Sequence, residues 1–147
     1  QALGEYEEKF KAAGLAVRLG GTKDKLYILA DSNKLWRVFS NLLNNIVKYT
    51  LPGSRVYIDI LPDNGYVWVT FKNISSYEMN FTADEIVERF QRGDPSRTTE
   101  GSGLGLAIVN SFMERMGGRC DIATDGDLFK AMVLILAANP PETNQDI

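Results

Sequence analysis

Hydrophobic positions along the chain follow two rhythms, one near 3.6 residues and one of two, and these rhythms divide it into helices and strands. Leu3, Tyr6 and Phe10 recur at helical spacing in a charged stretch, so a helix is expected over Leu3 to Ala13, stopped at Gly14. Leu15 to Leu19 alternates apolar and polar, Gly20-Gly21 reads as a turn, and Lys25 to Ala30 resumes as a strand, which together predict a hairpin. Asp31 or Ser32 then caps a helix running to about Tyr49, with Leu35, Val38, Phe39, Leu42, Leu43 and Ile46 on one apolar face. Leu51-Pro52-Gly53 ends it. Arg55 to Leu61 and Tyr66 to Phe71 alternate around Asp63-Asn64-Gly65, a strong hairpin signal. Asn73 to Phe81 is polar and reads as irregular. Thr82 caps a short helix over Ala83 to Phe90, with Glu85 at the capping-box position. Arg92 to Ser102 has no apolar period and reads as a loop. A glycine turn then enters a helix ending near Met116 at Gly117-Gly118. Arg119 to Ala123 and Leu128 to Leu136 are strands around Asp125-Gly126-Asp127.

Strands arriving in hairpin pairs favour an α+β fold: a two-layer sandwich in which a mixed, mostly antiparallel sheet packs on about three helices. The length, 147 residues, and a hydrophobic share of 44% fit one domain over residues 1–137, with the proline-interrupted, polar residues 138–147 expected as a disordered tail. A net charge of −3 gives no electrostatic case for binding nucleic acid or an anionic membrane. The longest apolar run, Ala131 to Ala138, is too short to span a bilayer. Cys120 is the only cysteine, which rules out an internal disulfide and suits a reducing, cytosolic setting; within its strand it reads as a small core residue. The sequence opens on Gln1 without Met, as a fragment of a longer protein would. It contains no histidine, so triads, imidazole acid–base chemistry and His-ligated metals have no residues here.

Two stretches carry candidate chemistry. Gly101 to Val109 reads GSGLGLAIV. Gly101, Gly103 and Gly105 tolerate positive φ, and a chain bent so aims successive N–H groups at one concave spot while the next helix adds its free donors and positive dipole end, a combination that binds phosphate. Asn41 to Thr50 reads NLLNNIVKYT inside the long helix. Asn41, Asn45 and Lys48 share one stripe there, while Leu42, Leu43 and Ile46 face the core. Each asparagine costs a few tenths of a kcal/mol of helix propensity relative to Ala, and a local rule broken in a well-formed helix marks a candidate site. Amide oxygens are suitable ligands for Mg²⁺, Lys48 supplies charge for phosphate, and Tyr49 offers a flat face for a base. No Gly-Lys-Ser or Gly-Lys-Thr phosphate loop occurs.

NLLNNIVKYT resembles the N box, and GSGLGLAIV the G2 box, of the ATP-binding catalytic domain of sensor histidine kinases. Phe90-Gln91-Arg92-Gly93-Asp94, within VERFQRGDPSRTTEGSG, is similar to that family's F box and ATP lid, and ADSNKLWRVFSNLL to its lead-in helix. The resemblance implies the Bergerat-type ATP-binding fold, with ATP and Mg²⁺ as ligands. It implies that Asn45 holds Mg²⁺ with Asn41 lining the same site, that Lys48 meets phosphate, and that Tyr49 flanks adenine. Arg92 and Arg97 would lie on the lid near the terminal phosphates; Gly101, Gly103 and Gly105 would bring N–H groups to the triphosphate, and Leu104 would wall the pocket. The implied partners are a histidine-bearing dimerisation domain, which must be elsewhere since this sequence has no histidine, and a response regulator. The parent would be a membrane-bound sensor with this domain in the cytoplasm and no membrane contact of its own.

The sequence departs from the family pattern twice. The G1 box usually reads Asp-x-Gly-x-Gly; here Asn73, Ser75 and Tyr77 stand at the three positions. An amide oxygen still accepts from the adenine amino group but without the charge-assisted component, which makes such bonds roughly twice as strong. ATP-hydrolysing relatives of the gyrase and Hsp90 type place a Glu four residues before the Mg²⁺ asparagine, where this chain has Asn41. An amide cannot take a proton from water, so phosphoryl transfer to another protein is expected over hydrolysis. A nucleotide-gated binding module of the same fold is the alternative; an anti-sigma-type serine kinase suits the sequence less, because its relatives carry that Glu.

Overall fold

The computed structural model describes residues 2–76 and 104–139. Helix α1, Ala2–Ala12, leads into strand β1, Ala16–Gly21; helix α2, Ser32–Tyr49, precedes β2, Arg55–Asp63, and β3, Tyr66–Ile74; helix α3, Leu104–Arg115, precedes β4, Arg119–Asp125, and β5, Leu128–Leu136. The strands form one sheet in the order β1-β2-β3-β5-β4, parallel between β1 and β2 and antiparallel elsewhere. The helices supply the second layer. The expected two-layer α+β sandwich with a mixed, mostly antiparallel sheet is what forms. The expected short helix over Ala83 to Phe90, the loop Arg92 to Ser102 and most of the tail lie outside the described residues.

Local chemistry accounts for the main elements. The Asp31 carboxylate accepts from the N–H groups of Asn33 and Lys34, each at 3.0 Å, so α2 begins where its cap residue stands. Leu35, Val38, Leu42, Leu43 and Ile46 are buried along its inner stripe. Asn64 and Gly65, at φ 45° and 84°, make the tight turn between β2 and β3. Alternation along the strands turns Val56 and Ile58 of β2, Val67, Val69 and Phe71 of β3, and Ala131, Val133 and Ile135 of β5 toward the helices. There they meet the α2 stripe, Leu106, Val109 and Met113 of α3, and Tyr6 and Phe10 of α1.

The first expected hairpin does not form. β1 instead lies parallel to β2, with Gly20 and Gly21 opposite Asp59 and Ile60 as strand residues rather than a turn, and Lys25 to Ala30 makes only a single bridge, Ile28 to Ala137. Parallel neighbours need a crossover of a dozen or more residues, and α2 is that crossover. Gly21 shows why glycine stands there: its φ is +94°, and an added Cβ would sit 2.1 Å from the Ile60 carbonyl oxygen. The second correction concerns β3. It runs on through Asn73 and Ile74, so Asn73 belongs to a strand and not to an irregular stretch.

Two outcomes follow from these contacts. Gly53 has φ +85° with open space around its missing Cβ, so Gly53→Ala costs the backbone term alone, about 1 kcal/mol. Gly21→Ala adds a collision with β2 backbone, roughly 1–3 kcal/mol more, and equilibrium urea unfolding of the two variants measures the difference. Cys120 pairs with Val133 on the core side of β4, and burial, helped by the neighbouring Asp121 charge, pushes its thiol up to about 12. An acid with a raised folded pKa stays neutral as pH climbs past the ordinary thiol value. Alkylation of the native protein at pH 8 is therefore expected at least about a hundredfold slower than for an unfolded control, rising steadily with pH to about 12.

Candidate functional site

The sheet and helices bring most of the sequence-predicted residues to one end of the domain. Leu29 N–H donates to Leu136 C=O at 2.8 Å just before α2 begins, so α2 starts at the Leu136 end of β5. Its other end is tied to the opposite end of the sheet, at β3. Leu51 N–H donates to Ile74 C=O at 2.8 Å and Ser76 N–H to Tyr49 C=O at 2.9 Å, forming an antiparallel bridge between Thr50 and Ser75. Ser75 N–H in turn donates to Asp127 C=O at 2.7 Å, beside the start of β5. Helix α3 runs the other way: its carboxyl end leads into Gly117 and Gly118, which pack against Leu136 and Leu134. The Arg37 guanidinium near the start of α2 lies 5.4 Å from the ring centre of Phe112 near the end of α3. The amino end of α3 and the carboxyl half of α2 consequently lie at the same end of the sheet.

On that half of α2, Asn41 and Asn45 are half-buried one turn apart and Lys48 is exposed, while Leu42, Leu43 and Ile46 between them are buried. The stripe read from the sequence is present. The Lys48 ammonium lies 5.4 Å from the centre of the half-buried Tyr49 ring, a cation–π contact that covers part of one ring face. No group of three or more His, Cys, Asp or Glu among the described residues could hold a metal ion; Asn41 and Asn45 bring two amide oxygens to this face.

Asn73 ends the inward row of β3, after Val67, Val69 and Phe71, and is only 4% exposed. Its Nδ2 donates to the Thr50 hydroxyl at 2.9 Å, but Oδ1, buried as well, has no hydrogen-bond partner. Among the described residues it is the one buried side-chain polar atom so placed. Leaving such an atom unmet costs about 1–3 kcal/mol, so it needs a reason. Thr50, buried beside it, is not singled out by any sequence motif, and Ser75, known from the sequence only as a replacement for a G1-box glycine, is buried as well. The alternation Val67, Val69, Phe71 continues in step through Asn73 to Ser75 and turns these two inward; Thr50, outside that strand, has no such signal.

At the amino end of α3, Gly105 lies inside the first turn of the helix, so its backbone is right-handed helical and not the positive-φ bend its glycine would tolerate. Its place in the first turn still leaves its N–H without an intrahelical acceptor. No acidic residue occupies that turn. Leu104 opens the same helix. Arg92, Arg97, Gly101 and Gly103 lie outside the described residues.

The chain is 35% identical over 112 residues to the probable sensor protein PcoS of Escherichia coli, covering 74% of this chain and 24% of that protein. It is 31% identical over 118 residues to the signal transduction histidine-protein kinase BaeS of Escherichia coli strain K12, covering 79% and 25%. It thus spans about a quarter of the length of these curated relatives. The nucleotide-free catalytic domain of histidine kinase ThkA superposes with a TM-score of 0.78 at 20% identity, over 92% of this chain and 87% of that one. The mycobacterial sensor histidine kinase MprB gives 0.74 at 22% identity, over 95% and 93%, and at such identities the likeness is one of fold. Residues 30–139, well over half the sequence, match the model described as histidine kinase-, DNA gyrase B-, and HSP90-like ATPase, and the chain belongs to that family.

Proposed function

We propose that this chain is the ATP-binding catalytic domain of a two-component sensor histidine kinase, delivering the γ-phosphate of Mg²⁺-bound ATP to a histidine on a separate dimerisation domain. The observation that carries the reading is the orphaned Asn73 Oδ1, a buried acceptor at the end of β3 where the amide-bearing half of α2 is tied to the sheet. An adenine amino group is the donor it lacks. Tyr49, whose carbonyl is locked to Ser76 in the same bridge, then flanks the base.

From this base-binding end the phosphates extend toward α3 and the Asn41–Lys48 stripe. The first-turn N–H groups of α3, Gly105 among them, donate to phosphate oxygens, and no acidic side chain in that turn competes with them. Lys48 adds positive charge. The donor set fits Mg²⁺, which takes oxygen ligands and commonly uses one or two protein groups together with phosphate oxygens and water. Asn45 would hold the ion and Asn41 would line its site; the ion would neutralise phosphate charge. Arg92, Arg97, Gly101, Gly103 and Leu104 keep the roles their motifs imply. Phosphoryl transfer depends chiefly on positioning and charge neutralisation, and the α2 stripe is built for both.

Asn41 in place of a carboxylate decides the fate of the phosphate. It can hold a water by hydrogen bonds but cannot take its proton, so hydrolysis is slow and the acceptor is another protein's side chain. The parent is read as a membrane-bound sensor that delivers phosphate onward to a response regulator; no helix among the described residues is long and apolar enough to cross a membrane.

Titration of the domain with ATP in the presence of Mg²⁺ is expected to show one site, with phosphate release near background. Mixing with the histidine-bearing domain of the parent is expected to give labelled phosphohistidine from γ-labelled ATP. Asn45→Ala should slow that transfer roughly a hundredfold, the scale of a few kcal/mol of lost charge neutralisation. Tight ATP binding with no transfer to the matched domain would instead favour a nucleotide-gated binding module.

A further inference from the structure

Asn73 differs chemically from a carboxylate in the same place, and its surroundings make the difference matter. The amide has two unlike ends. Nδ2 is held by the Thr50 hydroxyl at 2.9 Å and Oδ1 is unmet. Thr50 is itself 4% exposed, and its backbone N–H is already committed to Ile46 C=O at 3.1 Å. Its hydroxyl carries one donor and two acceptor lone pairs, so it can accept from Nδ2 or donate to Oδ1. Turning the amide by half a revolution about χ2 therefore keeps the Thr50 bond and exchanges the unmet group. One orientation presents a carbonyl, the other an N–H. The side chain's outline hardly changes, because the oxygen and NH₂ ends are nearly the same size. A carboxylate could present only acceptors.

We propose that Asn73, pivoting on the Thr50 hydroxyl, is a specificity-determining residue that lets the nucleobase pocket accept either an amino or an oxo group at purine C6. The proposal rests on the nucleotide-binding reading above. With the carbonyl outward, Asn73 accepts from the 6-amino group of adenine. With the N–H outward, it donates to the 6-oxo group of hypoxanthine or guanine. Both pairings are neutral hydrogen bonds of similar strength, and each leaves the Thr50 bond intact. An Asp at the same position strengthens the amino pairing by its charge and sets that charge against an oxo group, which rejects the latter.

Binding of three nucleoside triphosphates to the full chain tests this: ATP, inosine triphosphate, and the triphosphate of unsubstituted purine riboside, which has no group at C6. For the natural chain, ATP and inosine triphosphate are expected within about tenfold of each other, and both tighter than the unsubstituted purine. For Asn73→Asp, ATP tightens and inosine triphosphate falls below the unsubstituted purine, at least about a hundredfold behind ATP. The order in the natural chain stands on its own should the buried carboxylate of the variant impair folding. ATP binding with inosine triphosphate weaker than the unsubstituted purine would show an amide locked carbonyl-outward and overturn the proposal alone. Binding of none of the three would overturn the nucleotide reading and the proposal with it.

Discussion

Two backbone hydrogen bonds, Leu51 N–H to Ile74 C=O and Ser76 N–H to Tyr49 C=O, join the last turn of α2 to the last residues of β3. The placing of Tyr49, Thr50 and Asn73 relative to one another depends on that junction. Helix α2 is 18 residues long, about 27 Å at the usual rise, and crosses the sheet from the Leu136 end of β5 to the Leu128 end. The apolar stripe of α2 holds the helix on the sheet, and the tie fixes where its last turn, beyond Ile46, meets β3. Tyr49 and Thr50 are thereby held in register with Asn73, which arrives from a strand and not a helix. The tie is extended by Ser75 N–H to Asp127 C=O, which fixes the same point to the β4–β5 hairpin. Each such bond is worth only about 0.5–1.5 kcal/mol net, but their geometric effect exceeds that figure because they close a corner between two layers.

The same corner explains how a polar residue comes to end an apolar row. Val67, Val69 and Phe71 lie inward on β3 among the α2 side chains, and Phe71 stacks at 6.0 Å with Phe39. One step further, a fourth apolar residue would complete the core. Asn73 stands there instead, and Thr50 at the helix end satisfies half of it. Burying an amide with one end unmet is unfavourable. The fold tolerates it where the row of apolar contacts is ending and the helix offers a hydroxyl. Stability is given up at one atom, and a polar group is thereby held in place at the end of the core.

What could be read from the sequence is what short-range chemistry decides. Asp31 caps α2 through N–H groups two and three residues on, and Asn64-Gly65 reverses the chain between β2 and β3; both lie within a few residues of their partners. The α2 stripe is equally local, since helical geometry alone sorts Asn41, Asn45 and Lys48 from Leu42, Leu43 and Ile46. The parallel pairing of β1 with β2 was not legible, because it is set across the 18-residue helix between them. Gly20-Gly21 looked like a turn; the glycines serve a close approach to Ile60, a partner about forty residues away. Asn73 was recognised through its motif and not through its strand, and Thr50 was passed over, since a threonine between a helix and Leu51-Pro52-Gly53 looks like ordinary helix-end chemistry until β3 is laid beside it.

A last constraint comes from what the α2 face does not contain. Its side-chain groups at the site are two amides, a lysine and a tyrosine, with neither carboxylate nor imidazole among them. Amides bind cations and water through fixed dipoles, and lysine neutralises phosphate, but nothing in that set removes a proton from an attacking group near neutral pH. In the proposed function these groups would hold a triphosphate and neutralise its charge. On the proposed reading, the α2 face leaves the nucleophile to supply its own lone pair, as a neutral imidazole does without prior deprotonation. The face that resembles a kinase site thus also restricts the acceptor it suits. Under the proposed function, that composition suits a neutral imidazole as acceptor better than water or a serine hydroxyl, each of which needs a base that the described face of α2 lacks.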